Sequence, residues 1–274
     1  MICILLLGRK YKALEYYLRT LRVEEAKHGH DHISCVPAIN NAAIMFSKMG
    51  RQQEELDFWL RSMTITEATN GKGSITSASA IAALGSIFAK QRKLKLGLEW
   101  CLRSLRIEEY SLGAENVSNT ANLDTIGKIY EQQRKHRLAL AYYLRSLQIT
   151  ERVHGALRLP CASAYRNIAL LYQDSLEEYP EAVAYFEKAA QATAAGLGEE
   201  HVKTQQAWEL HAACMEIVML QERWRAGAFV RVRNNGEADW KVGRVECVIK
   251  TGPLVRLVGK RQAFHYDYIK ENER

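Results

Sequence analysis

Apolar and polar positions over most of this chain follow the 3.6-residue period of amphipathic helices, and they do so in copies. In the stretch Gly50–Gly71, Leu56, Trp59, Leu60, Met63 and Ile65 form one apolar stripe between charged positions. The same pattern recurs with a period of 42 residues at Gly8–Gly29, Gly50–Gly71, Arg92–Gly113 and Arg134–Gly155. A fifth copy, Pro180–Gly198, follows after one inserted residue. Second helical stretches are predicted between the copies, over 34–49, 74–91, 116–133 and 160–174. Their inward positions are Ala42/Ala43/Phe46, Leu84/Gly85/Phe88, Ile126/Gly127/Tyr130 and Ile168/Ala169/Tyr172. Glycines 29, 71, 113, 155 and 198 stand where the longer helices should stop. Each unit therefore reads as a helix A followed by a helix B. Neither helix buries its apolar face alone, so the units must stack.

A further helical segment, 199–224, is expected to close the array, with Trp208, Ala212 and Met215 at the helix A positions. Periodicity then changes at Ala226-Gly227. "AFVRVR", "WKVGRVECVIK", "PLVRLVGK" and "AFHYDYIK" are short alternating runs between turn residues, the pattern of four or five strands. The expectation is a mainly α chain in two parts. Residues 1–224 form a right-handed α-α superhelix of about five 42-residue repeats, the first incomplete. Residues 226–274 form a small all-β, barrel-like module.

Helix B carries small–x–x–x–aromatic–x–x–small at Ala13/Tyr17/Thr20, Ala139/Tyr143/Ser146 and Ala182/Phe186/Ala189, with Gly97/Cys101/Ser104 a variant. This resembles the tetratricopeptide repeat; Glu55 departs from it at a small position. The 42-residue length, the "L-x-I-x-E" helix end at Leu105/Ile107/Glu109 and Leu147/Ile149/Glu151, and Asn40-Asn41-Ala42-Ala43 are similar to the kinesin light chain subclass. The C-terminal runs are similar to SH3-like or Tudor-like barrels. The resemblance implies a non-enzymatic scaffold or adaptor that holds short peptides in its concave groove. Family grooves of this kind take peptides with an aromatic residue flanked by acids. By alignment, the groove positions here are Asn40, Lys48, Ser86, Lys90, Lys128 and Arg166, with Asp124, Glu131 and Glu209 on the same face. The family's heptad coiled coil has no counterpart here. Ile2–Leu7 aligns with the end of a helix A, so the chain is expected to begin mid-repeat. That would leave an apolar first helix uncapped and prone to self-association.

Charge adds a second reading. Residues 225–274 carry +5 of the net +7, interleaved with Phe229, Trp240, Phe264, Tyr266 and Tyr268. A basic, aromatic module fits a nucleic-acid or chromatin reader, the alternative function; the same aromatics also suffice for the core of a small barrel. The six cysteines are scattered without C-x-x-C, which suggests neither a zinc framework nor a compact disulfide scaffold and suits reduced thiols in the cytoplasm. His28, His30 and His32 alternate as H-x-H-x-H, but His32 also fits the repeat's structural loop histidine. The Leu-Arg ladder at Arg19, Arg61, Arg103, Arg145, with Lys188 in the fifth copy, reads as helix-surface pairs. For the first three, the acids four residues earlier are Glu15, Asp57 and Glu99. No nucleophile elbow, phosphate loop or dinucleotide fingerprint occurs, so no enzyme, cofactor or metal is expected. No membrane span is expected either.

Overall fold

The computed structural model describes the backbone of residues 2–223, 229–233, 241–249, 252–257, 263–264 and 268–271, and the side chains of residues 10–221. Ten α-helices occur among the described residues: α1 (Ile2–His28), α2 (Val36–Lys48), α3 (Gln52–Asn70), α4 (Ile75–Lys90), α5 (Leu94–Leu112), α6 (Asn119–Gln132), α7 (His136–His154), α8 (Leu159–Leu171), α9 (Tyr179–Leu197) and α10 (Val202–Arg223). Even-numbered helices are the A helices and odd-numbered ones the B helices of the sequence pattern. The chain divides into two compact units, Met1–Val153 and His154–Arg274.

In the first unit, each helix B packs its stripe on neighbouring A helices. Trp59 of α3 lies with Ala80, Leu84 and Ile87 of α4, flanked by Leu56, Leu60 and Met63. Cys101 and Leu105 of α5 meet Leu123, Ile126 and Ile129 of α6. Closest approach needs residues without side chains. A Cβ on Gly85 would lie 2.5 Å from Cys101 Sγ, and one on Gly97 would lie 2.9 Å from the Gly85 carbonyl oxygen. At the head of this unit the structure departs from expectation. Ile2–His28 is one continuous helix, with no break between an A helix ending at Leu7 and a B helix. A single glycine inside a helix costs only about 1 kcal/mol, so Gly8 does not interrupt it.

The turns repeat as faithfully as the helices. Glycines 29, 71, 113, 155 and 198 end the B helices at positive φ of 85–95°. The A helices α2, α4, α6 and α8 end on Gly50, Arg92, Arg134 and Glu177, also left-handed, at φ between 57° and 74°. At the heads of α2, α4 and α6, His32 Nδ1, Ser74 Oγ and Asn116 Oδ1 accept the amides of Ser34, Thr76 and Ser118. His201 Nδ1 does the same for Lys203 N before α10. The same side-chain-to-amide turn thus recurs in register, and at Ser74 it is the N-cap of the helix itself.

In the second unit, Tyr179, Ala182 and Phe186 of α9 pack with Ala169 of α8 and Cys214 and Ile217 of α10. The inserted residue is absorbed at Tyr172–Leu176, where α8 widens into a π-type turn. One extra residue per turn is what such a turn accommodates, so α9 resumes the register of the earlier B helices. Strands β1 (Phe229–Arg233), β2 (Lys241–Ile249), β3 (Gly252–Leu257), β4 (Ala263–Phe264) and β5 (Tyr268–Glu271) pair antiparallel in the order β4-β3-β2-β1-β5. The pairing slips between Val245 and Cys247, a bulge in β2. Barrel closure, and the aromatic and basic side chains of this segment, lie outside the described residues. No described helix is long and apolar enough to cross a membrane.

Candidate functional site

The groove positions derive from helical spacing within one register. Asn40, Asp124 and Arg166 are equivalent residues of α2, α6 and α8. Ser86 and Lys128 lie one turn further along their helices, and Lys48 and Lys90 two turns further. Asn40 and Ser86 are half-buried, whereas Lys48, Lys90, Lys128 and Arg166 are exposed. Lys48 and Lys90 close the last turns of α2 and α4, where a cation also favours the helix dipole. These positions therefore have a structural use of their own.

Two of the register positions are tied to the B helices. Asn40 Oδ1 accepts from the Ser62 hydroxyl at 2.5 Å. Asp124, two repeats on, faces Ser146, the equivalent of Ser62. Burial pushes the Asp124 carboxyl above the usual carboxylate range, opposed by the Ser146 hydroxyl and the Lys128 ammonium. Its Oδ1 is buried and has no partner in the protein. Glu131, on the same face, accepts from the Tyr143 hydroxyl at 2.9 Å. Burial, and then the Glu131 charge, raise that phenol's pKa.

In the second unit Arg166 opens into a cavity of about 490 Å³ bounded by α8, α9 and α10. Leu159, Leu197 and Leu210 supply apolar walls, while Ser163, Arg166 and Lys203 supply polar ones. Two cations and no carboxylate line it. That combination suits an anionic group attached to an apolar one. Lys203 escapes a sequence reading because it stands six residues before Glu209, the α10 equivalent of Arg166, and so outside the register positions counted as groove.

The Leu-Arg ladder is structural, and its partners differ from those expected. Arg61, Arg103 and Arg145 do not form their ion pairs within their own helices. Each reaches back 36 residues to Glu25, Glu67 and Glu109 at the end of the preceding helix B. Arg61 and Arg145 also donate to the carbonyl oxygens of His30 and Ala114 in the intervening turns. The cation at this position thus links successive repeats. Lys188 instead lies over the Tyr185 ring, 5.2 Å from its centroid.

The other chemical candidates are engaged locally. His32 is the cap of its turn and stacks on His28 at 4.9 Å, and His30 meets Glu25 and Asp31. No group of three potential metal ligands occurs among the described residues. Cys35, Cys101, Cys161 and Cys214 are buried thiols outside any disulfide. Cys35 and Cys161 donate to the carbonyls of Gly29 and Gly155, as Asn119 and Thr204 do to Gly113 and Gly198. Burial pushes the Cys101 thiol up to about 12, which leaves it protonated at neutral pH and without nucleophilic character.

Comparison with known proteins agrees with this geometry. Residues 118–195 match the tetratricopeptide repeat family model. A sequence comparison with curated proteins finds no match. BtubC (BKLC) from P. vanneervenii has a similar fold, with a TM-score of 0.60 and 16% identity over 76% of this chain and 88% of that one. A Podosopora anserina protein assigned as a kinesin light chain, with nearly identical TPR-like repeats, also has a TM-score of 0.60 at 16% identity, over 70% and 90% of the two chains. At such identities the likeness is one of fold. The chain is a mainly α protein whose residues 118–195 match the tetratricopeptide repeat.

Proposed function

We propose that this chain is a non-enzymatic, cytoplasmic interaction scaffold or adaptor, kinesin light chain-like, whose A helices hold a short acidic peptide with an aromatic residue. Peptide holding is assigned to residues 1–224, and residues 226–274 are a separate module. The observation that carries this reading is the cavity bounded by Arg166 and Lys203, apolar on one side and free of carboxylates. Arg166 and Lys203 donate to the peptide's acids while Leu159, Leu197 and Leu210 take an apolar ring. Asn40, Lys48, Ser86, Lys90 and Lys128 are assigned the same work in the first unit.

Fluorescence anisotropy with a labelled acidic peptide bearing a central Trp tests this on the full chain. Binding is expected to fall at least tenfold for Arg166→Glu combined with Lys203→Glu, with helix content unchanged. A peptide with its acids replaced by Gln should bind as weakly. Undiminished binding by the double reversal would remove the ligand from this cavity. A nucleic-acid duplex that binds more tightly than the peptide, with a steep salt dependence, would favour the reader alternative.

A further inference from the structure

In the strands that follow α10, backbone register sorts the residues by charge. Residues directly opposite on paired strands, and alternate residues of one strand, share a face of the sheet. Arg231 of β1 stands opposite Lys270 of β5, Phe229 opposite Arg244 of β2, and Arg244 opposite Arg256 of β3. Arg233, two residues beyond Arg231, stands opposite Tyr268. These cations and aromatic residues therefore fall on one face. The acids of the described strands fall elsewhere. Glu271 pairs with Val230 on the other face, and Glu246 is the extra residue of the β2 bulge. That other face holds Val230, Val232, Val245, Val255 and Ile269. An antiparallel sheet of this pattern packs on its apolar face and gives the polar one to water.

A face of this kind calls for a polyanion. Arg231 and Lys270, and again Arg244 and Arg256, are like charges directly opposite one another. That arrangement destabilises a sheet, and a bound polyanion relieves it. The aromatic residues decide which polyanion fits. Acidic peptides and anionic lipid surfaces are held by cations alone. A single-stranded nucleic acid presents a phosphate and an unpaired base at each step, and proteins that hold it combine cations along the backbone with aromatic rings for the bases. Phe229 and Tyr268, each opposite an arginine of a neighbouring strand, supply that combination. A duplex keeps its base faces in its own stack and gains nothing from such rings. We propose that this basic face binds single-stranded nucleic acid, through the juxtaposition of Arg231, Arg233, Arg244, Arg256 and Lys270 with Phe229 and Tyr268. The site is separate from the A-helix groove and does not depend on any peptide there.

Fluorescence anisotropy of a labelled oligothymidylate with the full chain, over a series of salt concentrations, tests the site. Oligouridylate in a second series tells RNA from DNA, and tight binding of either supports the proposal. Each phosphate neutralised on a single strand contributes about −0.7 to the slope of log Kobs against log salt, so the cations together predict about −3.5. Arg231→Gln combined with Arg244→Gln should weaken binding at least tenfold at low salt and flatten the slope by about 1.4. Lys72→Gln combined with Lys95→Gln removes the same charge from exposed helix and turn positions and should leave binding unchanged. Tyr268→Ala should weaken binding about fivefold or more without flattening the slope, whereas Tyr268→Phe keeps the ring and should bind like the wild type. Hydrogen exchange across β1, β2 and β3 checks that each variant keeps the sheet. Binding that survives the double arginine replacement overturns the proposal, as does a wild type without affinity at low salt. So does a duplex, or a phosphatidylserine vesicle, held as tightly as the single strand.

Discussion

Left-handed backbone ends α2, α4, α6 and α8, and only one of the four residues there is suited to it. Gly50 adopts this conformation freely, but Arg92 and Arg134 carry a Cβ at φ 63° and 58°. For an L-residue this costs about 1–2 kcal/mol, offset in part by the unfolded-state entropy that glycine adds. Both side chains are exposed and make no ion pair among the described residues. Arg92→Gly and Arg134→Gly should each stabilise by about 0.5–1 kcal/mol, read as a higher urea midpoint. Glu108 offers a test with pH. Its carboxylate is buried and accepts from Asn122 Nδ2 at 2.7 Å, and Asn122 also donates to Ser104 Oγ. Desolvation raises its pKa despite that bond. A carboxyl with a raised folded pKa contributes stability that is fully present below its unfolded pKa and is lost as pH rises through the folded one. Glu108→Gln keeps the acceptor and removes that loss. Denaturation should therefore find the variant more stable than wild type at neutral pH, with the difference closing towards pH ~4.

At the scale of the helix pair, close approach between α4 and α5 sets the packing. A Cβ at position 85 meets both Cys101 Sγ at 2.5 Å and the Cys101 amide nitrogen at 2.9 Å, and the amide cannot swing away. Gly85→Ala should therefore cost about 1–3 kcal/mol, the usual range for overpacking. A loss below the low end would show that the helices part easily. Much at this scale is legible in sequence, because apolar spacing at Leu56, Trp59 and Leu60 dictates which side of α3 must be covered. Turn glycines are legible for the same local reason. The Arg61–Glu25 link is not, since its residues stand 36 apart and nearer acids offer plausible i,i+4 partners. Only the stacking of successive B helices decides between them. The π-type turn at Tyr172–Leu176 shows in sequence as an inserted residue, whose location depends on which helix can widen. The cavity's apolar walls are hidden for a related reason. Leu159, Leu197 and Leu210 come from three helices, and no single stripe contains them.

At the scale of the whole chain, a repeat architecture has a mechanical consequence that a single-core protein lacks. Each pair of helices draws its stability from nearest neighbours, so damage should stay near its source. Trp59 is buried at 7% exposure between α3 and α4 in the first unit, and Phe186 belongs to a core of the second. Trp59→Ala should cost about 3–5 kcal/mol locally, the range for deleting a buried aromatic. Native-state hydrogen exchange would then show amides of α2, α3 and α4 losing protection while those of α8 and α9 keep theirs. Phe186→Ala should give the mirror pattern, with α8, α9 and α10 loosened and α3 and α4 unchanged. Equal loss of protection in both sets of helices, from either substitution, would mean that the chain unfolds as one cooperative block and that its repeats do not act as separable neighbours.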